Sequence, residues 1–291
     1  MAIIPQIVVS GLAQGSLYAL AALGIIVIFN ATHVVNFAQG AMGVAAAYVA
    51  WFSLTVLRFP LAVALGTSII FAFALGIVVE LVIMRRLQRA STMTQMVVTL
   101  GLFMAILGAI GALGGYNPRA FPELWSQGSF ELGTVVVRPQ DTLNVAILGT
   151  LAGGLALMFG RTKVGLAMRA ITQDAFAARL MGVSLPRTLA LAWALGIALA
   201  ATTAILAAPV TTLTPSMLDS IVIYGFVAAI VGGFGTFSGA IVGGLTVGVV
   251  DNLVKAFLAP ELSLTIVFGL LLVVLYVRPN GFFGRETAQK V

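Results

Sequence analysis

Apolar runs of about 20 residues recur from one end of this sequence to the other, and the charged side chains fall almost wholly between them. A helix needs roughly 20 apolar residues to cross the hydrocarbon of a bilayer. Within the bilayer a backbone must satisfy its own hydrogen bonds, which leaves helices and closed barrels. A barrel would show short segments of alternating polarity instead. Of the 291 residues, 60% are hydrophobic and 8% charged, where a soluble domain carries about 25% charge. Such a chain cannot clothe a water-facing surface. The expectation is an all-α integral membrane protein. It forms one transmembrane domain over residues 1–291, a bundle of about 8–9 membrane-spanning helices, some interrupted or partial.

The net charge of +6 is no nucleic-acid signature, because the basic residues gather in loops as the positive-inside rule wants. Cysteine is absent, so there is neither a disulfide frame nor thiol chemistry. Nothing basic precedes Ile7. The first apolar run therefore lacks the start of a secretory signal peptide and reads as a retained span.

The first six spans are expected near 7–29, 37–57, 61–84, 93–113, 143–159 and 188–208. Gly11 and Gly15 give the first a face that another helix can approach closely. A break between the first two gathers Asn30, Thr32, His33, Asn36 and Gln39. Polar groups there face protein or a water-filled path, or else form a headgroup-level turn. His33, the single histidine, reads as a capping or interfacial residue rather than a catalyst. The third span ends in Arg85, Arg86 and Arg89, a cytoplasmic flag, and Glu80 is expected to pair with that cluster. The polar stretch 116–144 then lies outside. Within it 129–137 reads as a hairpin about a Gly133-Thr134 turn, and Asp141 is expected to cap the fifth span.

The longest charged interruption is 161–187, where Arg161, Lys163, Arg169, Arg179 and Arg187 stand against Asp174. Thr172 is expected to cap a short helix with Asp174 in its first turn. Phe176 and Leu180 lie four apart on one face, with Met181 beside them. Gly182 is a natural stop, and Pro186 suits the start of the next helix. The reading is a short, half-apolar, basic helix outside the bilayer.

Arg278, Arg285 and Lys290 mark a cytoplasmic tail, so an odd number of crossings follows residue 208. Three are expected, near 218–232, 238–258 and 264–277, the first short and Gly-interrupted, as a partial or tilted crossing would be. Gly232, Gly233, Gly235 and Gly239 form a hinge between the first two. Asp251 and Lys255, one turn apart, make a local ion pair. Counting back places the N-terminus outside. Two interruptions, the junction of the first two spans and the hinge 232–244, are expected to meet near a translocation route. Irregular backbone at membrane depth is tolerated where it lines a cavity or is buried in protein. The path candidates are Gln14, Tyr18, Asn36, Gln39 and Tyr224, of which Gln14 and Gln39 serve equally well as hydrogen-bonding groups between helices.

Gly233-Phe234-Gly235 is not a nucleotide loop, since no Gly-Lys-Ser/Thr occurs anywhere. The chain has no means of its own to hydrolyse ATP. HExxH and GxSxG patterns are absent, which argues against an intramembrane enzyme. A stand-alone secondary transporter or channel would set ionisable groups at mid-membrane. Glu80, Asp219 and Asp251 fall near expected span ends or beside local partners.

Four segments occur in a telling order: Gly-Leu-Ala-Gln-Gly-Ser-Leu-Tyr-Ala-Leu from Gly11, Asn-Phe-Ala-Gln-Gly from Asn36, the glycine-rich stretch 232–244, and Arg-Pro-Asn-Gly-Phe-Phe-Gly from Arg278. In this the chain resembles the permeases of the branched-chain amino acid ABC importer family, particularly the H-type subunit. Ala177-Ala178 and Gly182 match the Ala-Ala-x-x-x-Gly spacing of the cytoplasmic coupling loop in ABC importer permeases. Phe176 and Ala41 stand where such permeases commonly carry an acidic residue. Urea and short-amide importers share the architecture, so the ligand stays open between these classes. The resemblance implies a transport subunit rather than an enzyme, placed in the bacterial inner membrane. It would pair with a second, M-type permease. Two cytoplasmic ATPases holding ATP and Mg would dock on the coupling loops, here through Phe176, Ala177, Ala178, Arg179, Leu180, Met181 and Gly182. A soluble extracytoplasmic binding protein would deliver and select the substrate. No cofactor and no metal is implied in this chain.

Overall fold

The computed structural model describes residues 3–125, 128–132 and 135–284. Its elements in chain order are α1 (Ile3–Thr32), α2 (Gln39–Thr55), α3 (Leu61–Val82), α4 (Thr92–Gly114), β1 (Phe130–Leu132), β2 (Val135–Val137), α5 (Pro139–Arg161), α6 (Lys163–Gln173), α7 (Ala175–Leu180), α8 (Leu185–Thr211), α9 (Asp219–Gly232), α10 (Phe237–Phe257) and α11 (Ser263–Val277). Among the described residues, seven helices are long and apolar enough to cross a membrane: α1, α3, α4, α5, α8, α10 and α11. At 15 residues, α11 gains that length from the adjoining 3-10 turn Pro260–Leu262. The run 218–232, expected as a short crossing, forms the apolar α9, which at 14 residues is shorter than the seven spanning helices. The protein is an all-α polytopic membrane bundle. β1 and β2 pair antiparallel, Phe130 opposite Val137, as the hairpin reading of 129–137 requires. The Gly133-Thr134 turn lies outside the described residues, as do Arg285 and Lys290 of the tail.

Burial separates the helices into two kinds. Of the most apolar stretch of α1, 83% is buried, against 17% for α4. Helix α1 is therefore packed on most of its sides, while α4 leaves most of its apolar surface exposed, as a lipid-facing helix does.

The chain divides into two compact units. One consists of Met1–Ile26, Glu123–Ala152 and Ile221–Val291. Here α1 and α10 meet backbone to backbone. A Cβ on Gly11 would fall 2.8 Å from Val249 Cα, and one on Gly15 would fall 2.7 Å from the Gly244 carbonyl oxygen. The close-approach face expected at Gly11 and Gly15 is used. Side chains here would pry the helices apart, so dispersion contacts between backbones replace interdigitated side chains. The turn from α9 to α10 has Gly233 at φ 111° and Gly235 at φ 99°, a region that side-chain-bearing residues seldom adopt. The segment after α11 folds back on this turn: Phe282 and Phe283 donate their N–H groups to the carbonyls of Val231 and Gly232 at 3.0 and 2.9 Å. Two of the four ordered segments thus meet, and the last carbonyls of α9 are satisfied. At the start of α1, Gln6 clamps Val136 of β2, donating to its carbonyl at 2.9 Å and accepting its N–H at 2.8 Å.

The other unit consists of Val27–Pro122 and Gly153–Ser220. Its core joins α2, α3 and α8 around Trp193, with Met42, Ala46, Ala72, Val79 and Ile197 buried. Gly43 lies against the Ala200 carbonyl and Gly76 against Ala194. Ser68, buried in α3, donates to the Ala46 carbonyl at 2.6 Å. Arg119 and Leu213 exchange both backbone hydrogen bonds, at 3.0 and 2.9 Å, which ties the stretch after α4 to the end of α8.

Candidate functional site

Helix α10 carries Asp251 on the face turned toward its neighbours, and the residue is fully buried. Its Oδ2 accepts from the Tyr18 hydroxyl of α1 at 2.7 Å and from Lys255 Nζ one turn on, also at 2.7 Å. Its Oδ1 accepts from the Ser263 hydroxyl at the start of α11. Gln14 donates to the Tyr18 oxygen at 3.3 Å, and the Tyr224 hydroxyl of α9 to Ser263 at 3.3 Å. The rings of Tyr18 and Tyr224 stack with centroids 4.8 Å apart. One carboxylate thus collects groups from α1, α9, α10 and α11. The expected Asp251–Lys255 pair is present, and three path candidates, Gln14, Tyr18 and Tyr224, come together around it. Asn36 and Gln39 belong to the other unit. Both are buried there; Asn36 Oδ1 accepts the Ala38 N–H at 3.0 Å, fixing the turn into α2.

The stretch 161–187 folds as two helices. Thr162 caps α6, accepting the Gly165 N–H at 3.2 Å. Gly165, Met168 and Ile171 form the buried face of α6, and a Cβ on Gly165 would strike the end of α5. Thr172 does not cap the second helix. It sits in the last turn of α6, where its hydroxyl meets the carbonyls of Met168, at 2.8 Å, and of Asn30 near the end of α1. The cap of α7 is Asp174, whose Oδ1 takes the N–H groups of Phe176 and Ala177 at 2.8 and 2.9 Å. A carboxylate accepts these charge-assisted bonds better than a hydroxyl. Gly182 ends the helix at φ 84°, and Pro186 stands in the first turn of α8, both as expected. Phe176, Leu180 and Met181 are 71, 74 and 84% exposed, while Ala178 is buried beneath them. Ala177 and Arg179 are exposed too.

Glu80 does not pair with the arginine cluster. Among the described residues the ion pairs are Arg138–Asp141 and Lys255–Asp251. The buried stripe of α3 runs Ser68, Ala72, Gly76, Glu80, and this spacing carries the carboxylate inward while Arg85 and Arg86 stay exposed on the turn after α3. Glu80 Oε1 takes a long, 3.5 Å contact from Gln88, and Oε2 has no hydrogen-bond partner. The residue borders a cavity of about 300 Å³ that also touches His33, Gln95, Arg179 and Trp193. Asp141, expected as a cap, is instead inside the first turn of α5, paired with Arg138 at 3.1 Å.

The profile of the family described as branched-chain amino acid transport system / permease component matches residues 7–275. The chain belongs to this family. The permease is similar to BraD, the high-affinity branched-chain amino acid transport system permease protein of Pseudomonas aeruginosa, at 30% identity over 98% of this chain and 97% of that one. It is 29% identical to LivH of Salmonella typhimurium, over 97% of this chain and 96% of the relative. A probable branched-chain amino acid transport permease protein of Methanocaldococcus jannaschii, also called LivH, is 30% identical over 92% and 89%. No solved structure matches the permease. Sequence reasoning reached the aromatic and amide members of the buried cluster and missed its centre. The signal for Asp251 was available: an ionisable residue inside an apolar run is a site by default. Glu80, the single ionisable residue of the run 61–84, carried the same signal, whereas Ser263 left no such trace.

Proposed function

We propose that this chain is the membrane-spanning permease subunit of an ATP-driven importer, forming with a second, M-type permease the path for branched-chain or related apolar amino acids. Residues 1–291 act as one permease domain. Two ATPases on the cytoplasmic side bind ATP and Mg, and an extracytoplasmic binding protein hands over the substrate. The names of the relatives support the substrate class. The observation that carries the coupling role is the exposed trio of Phe176, Leu180 and Met181 on a helix braced from beneath. Apolar anchors at the centre of an interface supply most of its energy. Thr172, bound to the Asn30 carbonyl, gives movement of this loop a direct route to the end of α1.

In this reading the loop 161–187 faces the cytoplasm of a bacterial inner membrane, and the N-terminus and 116–144 face outward. The Gln6–Val136 clamp supports a shared side for the N-terminus and the hairpin. With no native cysteine, a single cysteine at position 123 should label only from outside and one at position 163 only from inside. The reverse pattern would invert the topology.

The functional test is Phe176→Asp in the reconstituted complex. Burying an unpaired carboxylate costs several kcal/mol. The variant should insert and keep the second permease, yet lose the ATPase on pulldown or uncouple hydrolysis from uptake. Normal retention with normal uptake would remove the coupling assignment.

A further inference from the structure

At the cavity beside Glu80, a buried carboxylate with one unpartnered oxygen and an arginine border the same space. Glu80 is 1% exposed, and its Oε2 takes no hydrogen bond from the protein. Arg179 reaches the same cavity from α7, and His33 from the junction after α1. Gln88 and Gln95 add amide groups, while Met84, Ile171, Leu189 and Trp193 give an apolar wall. Ligand pockets run from about 300 to 1,000 Å³ and combine an apolar lining with a few polar groups that fix orientation. This cavity, at about 300 Å³, suits a small molecule.

The chemistry selects the class. A lone cation would satisfy Glu80 and leave Arg179, in the same lining, without a counter-charge. A lone anion would do the reverse. A zwitterion with an ammonium for Glu80, a carboxylate for Arg179 and an apolar side chain for the wall meets all three demands. We propose that this cavity binds a free α-amino acid with an apolar side chain, distinct from the cluster around Asp251. It rests on the reading of the chain as an amino acid permease subunit, which places the opening beside the coupling loop. The cavity is bordered by Ala31, Thr32 and His33 on one side and by Ile171, Ala175 and Arg179 on the other. An occupant therefore bridges the end of α1 and the coupling helices. A ligand shifts a conformational equilibrium only as far as it binds one state better than the other, and a bridged loop is such a state.

The test uses the full-length chain in lipid nanodiscs without its partners, titrated with L-leucine, with 4-methylpentanoate, which lacks the ammonium, and with leucinol, which lacks the carboxylate. The wild type should bind leucine about tenfold or more tighter than either analogue, as charged hydrogen bonds imply. Glu80→Gln should erase the preference over 4-methylpentanoate and keep that over leucinol, and Arg179→Gln should do the opposite. Ala175→Trp, which fills the cavity without touching a charge, should abolish binding while thermal unfolding stays near that of wild type. No saturable leucine binding by a well-folded wild type, or equal weakening of all three ligands in both charge variants, would overturn the site. Uptake by the whole complex separates the two readings. Leucine uptake without binding to the isolated chain sinks the cavity alone. Binding without any ATP-driven amino acid uptake sinks the importer assignment and leaves the cavity standing.

Discussion

Two carboxylates, one in each compact unit, are equally hidden and differently treated. Asp251 is 0% and Glu80 1% exposed. Asp251 receives hydrogen bonds from Tyr18, Lys255 and Ser263; Glu80 receives one long contact, from Gln88. Burial alone therefore says little about what an acid does in this protein. With its lone pairs filled, a buried carboxylate is a joint between helices. With one oxygen facing a cavity unpartnered, it is a place for something else to bind. The difference is set by which neighbours carry donors. Tyr18 and Ser263 come from other helices and converge on Asp251, whereas the side of α3 that holds Glu80 meets Trp193 and the small residues of α8.

The largest effect expected from this contrast is at Asp251. Asp251→Ala leaves Lys255 without its partner and strands the buried hydroxyls of Tyr18 and Ser263. Breaking a buried pair by removing one partner costs about 3–5 kcal/mol, though half-exposed Lys255 can swing toward water and hold the loss near the lower figure. Thermal unfolding of the purified chain should show it. Tyr18→Phe removes one bond to a charged acceptor and should cost about 1.5 kcal/mol. An Asp251→Ala protein that melts with the wild type would erase the distinction between the two acids.

The second test concerns what surrounds the joint. A Cβ on Gly248 would run into the backbone of Gly15, so Gly248→Leu must separate α1 from α10. Overpacking of this kind costs about 1–3 kcal/mol, and here it also pulls Tyr18 from Asp251. Gly101, on the outward side of α4, has nothing within 4 Å, and Gly101→Leu should be neutral or slightly stabilising in the same assay. Equal behaviour of the two variants would mean that the glycine contacts do not hold the joint together.

The spans were legible because their signal is local. Run length and arginine position mark each helix, and the short α9 and the hairpin of β1 and β2 followed from glycine and β-prone residues alone. The glycine faces of α1 and α10 were legible by spacing, although which helix each would meet was not. The site was half legible. Gln14, Tyr18 and Tyr224 stand out as polar groups in apolar runs. Their meeting point required knowing that Ser263 and Asp251, 12 residues apart, face one another across the turn into α11. Thr172 and Asp174 show the limit at shorter range. Both are good caps by composition, and the continuation of α6 through Gln173, fixed by the buried stripe of Gly165, Met168 and Ile171, decided between them. Glu80 was misassigned because sequence distance to the arginines was weighed above the face of α3 on which it lies.

The smallest effect, and the sharpest, has the opposite sign. Glu80→Leu exchanges an incompletely satisfied buried acid for an apolar side chain that packs against Met84 and Trp193, which share its cavity wall. An unpartnered buried acceptor costs about 1–3 kcal/mol, and apolar replacement of buried charge is often neutral or stabilising. Part of the gain is lost because Leu fills the space imperfectly, so a rise of about 1 kcal/mol in unfolding free energy is expected where Asp251→Ala brings a loss. The same substitution should eliminate leucine binding to the isolated chain. Stability gained as binding disappears is the signature of a residue kept for a ligand at the expense of the fold. If Glu80→Leu instead destabilises the protein as Asp251→Ala does, then Glu80 is a second joint whose partners have been overlooked, and the two acids are alike after all.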